Sequence, residues 1–146
     1  MTDQFINAPH DVIFDMIRES RTIAVVGLSD REETASYRVA KFMQDQGFTI
    51  IPVNPRKAGQ TILGQKVYAR LQDIPVHINI VDVFRKSEAL PEVARDFLET
   101  DADVFWAQLG LQSQEANQLL RKANRHRIVM NKCLKIVYQE MLDQGD

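Results

Sequence analysis

Residues 23–37 read IAVVGLSDREETASY, an apolar run that passes straight into a glycine. Ile23 to Val26 has the nearly continuous Val/Ile character of a strand covered on both faces. A buried strand that ends in glycine and leads to a helix is how a phosphate-binding loop begins. Measured against the pattern G-x-G-x-x-G, however, only Gly27 is present, because Ser29 and Glu32 occupy the second and third glycine positions. Those glycines allow a tight turn, a close approach to pyrophosphate and close packing of helix on strand. Without them a wider turn is expected, with Ser36 capping the helix that follows. The free amides of that helix start, with the Ser29, Thr34 and Ser36 hydroxyls, suit a phosphate, and Arg38 and Lys41 lie in the first two turns.

Working outward, further apolar runs occur at Thr49–Val53 (TIIPV), Ile78–Val83 (INIVDV), Asp103–Leu109 (DVFWAQL) and Arg127–Met130 (RIVM). The segments between them have helical period. Val39, Ala40, Phe42 and Met43 form a stripe closed by Gly47; a helix from Ser87 carries Leu90, Val93, Ala94, Phe97 and Leu98; another from Ser113 carries Ala116, Leu119, Leu120 and Ala123. Only the connection after Thr49–Val53 is irregular, with room for a small strand or one helical turn at Val67–Leu71. Helices over 9–18 and 134–142 flank the series. Strands alternating with helices predict an α/β, Rossmann-like doubly wound sheet. The expected sheet has five mainly parallel strands in the order 3-2-1-4-5, helices on both faces, in a single domain over residues 1–146.

Composition excludes several classes. The chain has 146 residues and a formal net charge of -2 from 18 basic and 20 acidic residues, without the excess that tracks nucleic-acid phosphates. No run reaches the length of a membrane span and no charged, then apolar, leader opens the chain, so a cytoplasmic protein is expected. Cys133 is the single cysteine, and His10, His77 and His126 are far apart in sequence, which gives no disulfide and no metal-ligand spacing.

In open α/β sheets the ligand lies beyond the carboxyl ends of the strands, where the strand order reverses. The residues after each strand are therefore the candidates. After Val53 come Asn54, Pro55, Arg56 and Lys57, where a nicotinamide dinucleotide fold commonly presents an acid to the ribose diol. Basic residues here favour a phosphorylated ribose, found in NADP and in coenzyme A. Phe84 offers an aromatic face for adenine or cover for the sheet end, and Arg85 a guanidinium for phosphate. Gln108 can meet amide groups, Gly110 allows close approach, and Trp106 reads as core. Cys133 follows the last strand beside Lys132, at the head of the final helix, the setting of a reactive thiol; the other reading of a lone cysteine is a small buried hydrophobe.

The ordered set VVGLS, SYRVAKFMQDQGFTIIPVNP, ILG before a short strand, VDVFR, WAQLG and VMNKC, running from Thr22 to Met141, resembles the small stand-alone CoA-binding proteins of bacteria and archaea. Their fold is similar to the CoA-binding domain of the succinyl-CoA synthetase α subunit. The resemblance implies that coenzyme A or an acyl-CoA is bound through Gly27, Leu28, Ser29 and Asp30, the helix start at Ser36, Tyr37, Arg38 and Lys41, the loop Asn54, Pro55, Arg56 and Lys57, the turn Phe84–Arg85, and Gln108 and Gly110. Cys133 lies on the same side of the sheet. Synthetase activity is not implied, since the chain has no room for the second domain that carries the phosphorylated histidine. Family members often have prolines where Glu32, Glu33, Thr34 and Ala35 stand here. A binding protein without turnover is the expectation, with an NADP-binding oxidoreductase or a Cys133-dependent acyl-transfer enzyme as the alternative; a protein partner is left open.

Overall fold

The computed structural model describes residues 5–144, so the outer ends of the expected single domain, 1–4 and 145–146, lie outside the described residues. Helix α1 (His10–Arg18) precedes β1 (Thr22–Val26), α2 (Ala35–Asp45) and β2 (Thr49–Val53). A single-turn helix, Pro55–Lys57, then leads into the strands β3 (Thr61–Ile62) and β4 (Gln65–Lys66) and a second such turn, Leu71–Asp73. The chain continues through β5 (Ile80–Val83), α3 (Leu90–Leu98), β6 (Val104–Ala107), α4 (Gln114–Lys122), β7 (Ile128–Val129) and α5 (Leu134–Gln144). No described helix is long and apolar enough to cross a membrane.

The main sheet runs β2-β1-β5-β6-β7, parallel throughout, as the alternation of buried strands and amphipathic helices predicts. Counting only the five apolar runs of the sequence, the order is thus 2-1-3-4-5: INIVDV pairs with β1, not with the outer side of β2. The edge place beside β2 is taken instead by the irregular segment, through one parallel bridge between Val53 and Tyr68. With that short segment counted as the third strand, the order reads 3-2-1-4-5-6, which is compatible with the expected 3-2-1-4-5. Its brevity has a local cause: β3 and β4 form an antiparallel hairpin whose turn, Leu63 and Gly64, has positive φ at both residues (53° and 76°), as a two-residue hairpin requires.

Alternation along each strand divides the core between the two faces of the sheet. Ile23, Val25, Ile80, Val104 and Trp106 pack with α1, α2 and α5, whereas Ala24, Val26, Val81, Val83, Phe105 and Ala107 pack with α3 and α4. Trp106 is core, as expected, fully buried with its indole Nε1 donating to the Lys132 carbonyl at 2.8 Å. The exception to this apolar filling is Asp82, in the middle of the sheet and 1% exposed.

Two helix starts differ from expectation. Thr34, not Ser36, caps α2: its Oγ1 accepts the Tyr37 N–H at 3.4 Å. Ser36 is instead buried in the first turn, where its hydroxyl accepts the Ser29 N–H at 3.1 Å and so folds the loop back on the helix. Ser87 opens a short tight turn, Ser87–Ala89, and α3 begins after it, with Pro91 in the first turn where its missing N–H is not needed. The Ser87 hydroxyl is engaged elsewhere, accepting the Gln112 N–H at 3.1 Å.

Candidate functional site

The loops that leave the carboxyl ends of the strands are laced to one another by side chains. Asn54 Nδ2 donates to the Leu28 carbonyl at 2.9 Å while its Oδ1 accepts the Arg56 N–H at 3.0 Å, tying the loop after β1 to the loop after β2. Lys57 and Asp30 join the same two loops by an ion pair of 3.1 Å. Across the other side of the sheet, the Gly110 N–H donates to Asn131 Oδ1 at 2.6 Å, linking the loops after β6 and β7. Such cross-links fix a rim before anything binds to it.

Gly27 sits at the point where strand order reverses, between β2 and β5. Its φ is +88°, and a Cβ added there would lie 2.6 Å from the Phe84 carbonyl oxygen. The glycine is therefore required by the approach of two protein loops, β1 to β5, whatever else it serves. That explains how a loop with one glycine remains a sharp turn: the single glycine stands at the one contact that excludes a side chain, and Ser36 closes the rest of the loop from below.

Among the cavities that the described residues form on this rim, two lie on opposite sides of the sheet. The first, about 450 Å³, is bordered by Val26, Val53, Pro55, Arg70, Arg85 and Asp96. The second, about 460 Å³, is mostly apolar and is walled by Val39, Phe84, Leu109, Leu111, Cys133 and Ile136, with Gln108 among its lining residues. Arg85 borders both cavities, and its nearest acid is Glu92 at 3.7 Å. Leu109 and Ile136, 64% and 48% exposed, leave the mouth of the second cavity apolar.

Gln108 is 4% exposed, and its Nε2 donates to Asp82 Oδ1 at 2.7 Å. Burial pushes the Asp82 carboxyl up to about 7, and the bond from Gln108 pulls the other way. A carboxyl so perturbed beneath a cavity is a mark of functional sites.

The sequence-predicted residues separate into groups. Phe84, Arg85, Gln108 and Cys133 come together at the second cavity, and Pro55 at the first. Gly27, Leu28, Ser29, Asp30, Ser36, Asn54 and Lys57 form the laced frame between them. Arg56 lies exposed on the loop after β2 and has no ion pair among the described residues. Tyr37 packs against the core on the α2 side, and Gly110, with φ +87°, takes the turn after β6. Lys41 borders neither cavity: it pairs with Asp45 at 2.8 Å, which also raises its pKa. Arg38 donates to the Glu33 carbonyl at 2.6 Å, and Glu33 itself is held by Arg31 at 2.6 Å.

Arg70, Leu111 and Ile136 border the cavities without having been anticipated, whereas Lys86 and Leu109 fall among the strand-end residues. Ile136 carried a signal, since it falls outside the buried stripe of Leu134, Val137 and Met141 in α5. Asp82 carried another, as a lone acid in the apolar run INIVDV.

Comparison with known proteins places these features in context. A family model described as a CoA binding domain matches residues 21–139. The Bacillus subtilis (strain 168) protein YneT, described as uncharacterized, is 49% identical over 126 residues, covering 86% of this chain and 91% of its own. The structure of cell-free ID.343 from Thermus thermophilus superposes with a TM-score of 0.87 at 26% identity, over 92% of this chain and 99% of that one. The apo dinucleotide forming acetyl-coenzyme A synthetase 1 of Ca. Korarchaeum cryptofilum shares the fold over 80% of this chain but 28% of its own, with a TM-score of 0.63 at 19% identity.

Proposed function

The chain belongs to the CoA binding domain family, and from that premise we propose that it binds coenzyme A or an acyl-CoA along the carboxyl rim of its sheet, as a binding protein without turnover. Coenzyme A is a polar, phosphorylated adenosine joined through a diphosphate to an apolar, amide-bearing pantetheine arm. The observation that carries the reading is Arg85, a cation bordering both a cavity beside basic loops and an apolar one. A guanidinium at that junction suits the diphosphate, and the loop Leu28–Ser36 with the start of α2 lies beside it. The 3′-phosphate belongs to the loop after β2, where Arg56 has no ion pair among the described residues and Lys57 has Asp30 to exchange. The pantetheine arm then takes the cavity of Phe84, Leu109 and Ile136.

Calorimetric titration with CoA, dephospho-CoA and NADPH tests the assignment. A charge-assisted contact of about 1.5 to 3 kcal/mol makes dephospho-CoA about 10 to 150 times weaker than CoA. Arg56→Ala should remove most of that difference. Equal affinity for the two ligands would refute the 3′-phosphate site, and tighter binding of NADPH would replace CoA with a nicotinamide ligand.

A further inference from the structure

Cys133 is a free thiol at the head of α5, whose backbone carbonyl accepts the Val137 N–H at 3.0 Å. It is partly exposed and lines the apolar cavity, which distinguishes it from an inert buried cysteine. Two positive groups, Arg85 and Lys86, border the same cavity, and the N-terminus of an eleven-residue helix adds its dipole. Independently, Gln108 points to a ligand here. It is 4% exposed, its Nε2 is committed to Asp82, and its Oε1 has no partner among the described residues. That acceptor is open to the cavity that Gln108 lines, where a bound molecule can supply the donor. The amide N–H groups of a pantetheine arm are donors of that kind, and such an arm ends in sulfur.

We propose that this cavity is a thiol–disulfide exchange site in which Cys133 forms a mixed disulfide with a pantetheine-type thiol delivered as its disulfide. The inference rests on the CoA-binding reading and adds a reaction to it. The Cys133 thiolate attacks one sulfur of the ligand disulfide. The ligand S–S bond breaks, a bond forms between Cys133 Sγ and the retained half, and the other half leaves as a thiolate that takes a proton from water, balancing the one Cys133 released. Cys133 is oxidised, the departing thiol is the reduced product, and the ligand disulfide is the oxidant. Gln108, oriented by Asp82, serves as a positioning residue that holds the arm by its amide. Excess free thiol reverses the step, so the protein holds the cofactor covalently under oxidising conditions and releases it under reducing ones.

Intact-mass spectrometry of the whole, non-denatured protein after incubation with CoA disulfide tests the step, beside parallel incubations with glutathione disulfide. The expected result is addition of one CoA to the wild type and none to Cys133→Ser, with removal by dithiothreitol. Because a bound disulfide is held at high effective concentration, the rate should saturate and exceed that with glutathione disulfide by at least about tenfold. Gln108→Met should slow CoA addition while leaving alkylation of Cys133 by iodoacetamide unchanged, a split that a merely structural residue would not produce. Equal rates with the two disulfides, or no adduct on a protein that binds CoA in the calorimeter, would overturn the exchange site and leave the binding reading standing. Failure of CoA to bind at all would remove both.

Discussion

The two edges of the sheet are built from the same kinds of residue and do opposite things with them. At the amino edge Asn79 Oδ1 accepts the N–H groups of both Arg21 and Thr22, at 2.7 and 2.9 Å, while its Nδ2 donates to Asp103 at 3.0 Å. His77 lies between Asp101 and Asp103, at 3.0 and 3.1 Å. Arg125 donates to the Thr100 and Ala102 carbonyls and lies 4.5 Å over the Phe97 ring. Polar capacity there is used on the protein itself. At the carboxyl edge Arg56 and Lys86 have no ion pair among the described residues, and Gln108 keeps an acceptor unused beside a cavity. Density of polar groups therefore does not mark a site; polar groups left over beside a cavity do.

The largest effect expected from breaking this contrast is at Asp82. Its carboxyl keeps its proton up to about pH 7 in the fold, against a value of 3.8 when unperturbed. The sign follows from linkage: between those values the unfolded chain binds fewer protons, so the carboxyl's contribution to stability falls as pH rises and levels off at its full cost above the folded value. At one pKa unit per 1.36 kcal/mol, the carboxyl costs the fold up to roughly 4 kcal/mol at about pH 8. Asp82→Asn keeps an acceptor for Gln108 and removes the titration. Urea denaturation should show the two proteins converging in stability near pH 4 and the variant ahead by several kcal/mol near pH 8. A wild type whose stability falls no faster than the variant's over that range would remove the buried ionisation from the account.

Next in size is Gly27→Ala. It must place a Cβ 2.6 Å from a backbone carbonyl at φ +88°, adding a steric clash to a left-handed backbone. Each contributes about 1 to 3 kcal/mol, so a loss of roughly 3 kcal/mol is expected in the denaturation midpoint. Gly110→Ala sharpens the comparison, because Gly110 has a similar φ of +87° but nothing within 4 Å of the added atom. Its loss should stay near the backbone contribution alone, about 1 kcal/mol. Equal losses at the two glycines would mean that the contact with Phe84 is not what requires Gly27.

These residues also show which parts of the molecule were legible in the sequence. The parallel sheet and its helices follow from local patterns, since runs such as IAVV and INIVDV carry their burial in their composition. Which run neighbours which does not, because any parallel pairing buries the same apolar side chains; only the short bridge at Tyr68 shows what occupies the edge beside β2. Phe84, Arg85, Gln108 and Cys133 were found because strand ends are predictable, and the fold brings them to one cavity. Ser36 was misread as a cap since a hydroxyl near a helix start has two choices, and a contact back to Ser29 is invisible in sequence. The side chains of Arg70 and Ile136 reach the cavities through tertiary packing alone.

The smallest effect lies at the amino edge and works by the opposite sign of charge. Hydrogen bonds that His77 donates to Asp103 and then Asp101 raise its pKa above 6.5, with burial opposing them. A raised histidine stabilises the fold fully below its unfolded value, and that contribution disappears as pH rises through the folded value. Half-exposed, the cluster is screened by water, so its worth is at most about 1 kcal/mol. Between about pH 6 and pH 9 the wild type should lose a small advantage in melting temperature over His77→Gln, and added salt should shrink that advantage at the lower pH. CoA affinity should be the same in both proteins, because His77 belongs to the edge whose polar groups are already paired. A His77→Gln protein that binds CoA more weakly at unchanged stability would show that the two edges are coupled, and the division of labour between them would no longer hold.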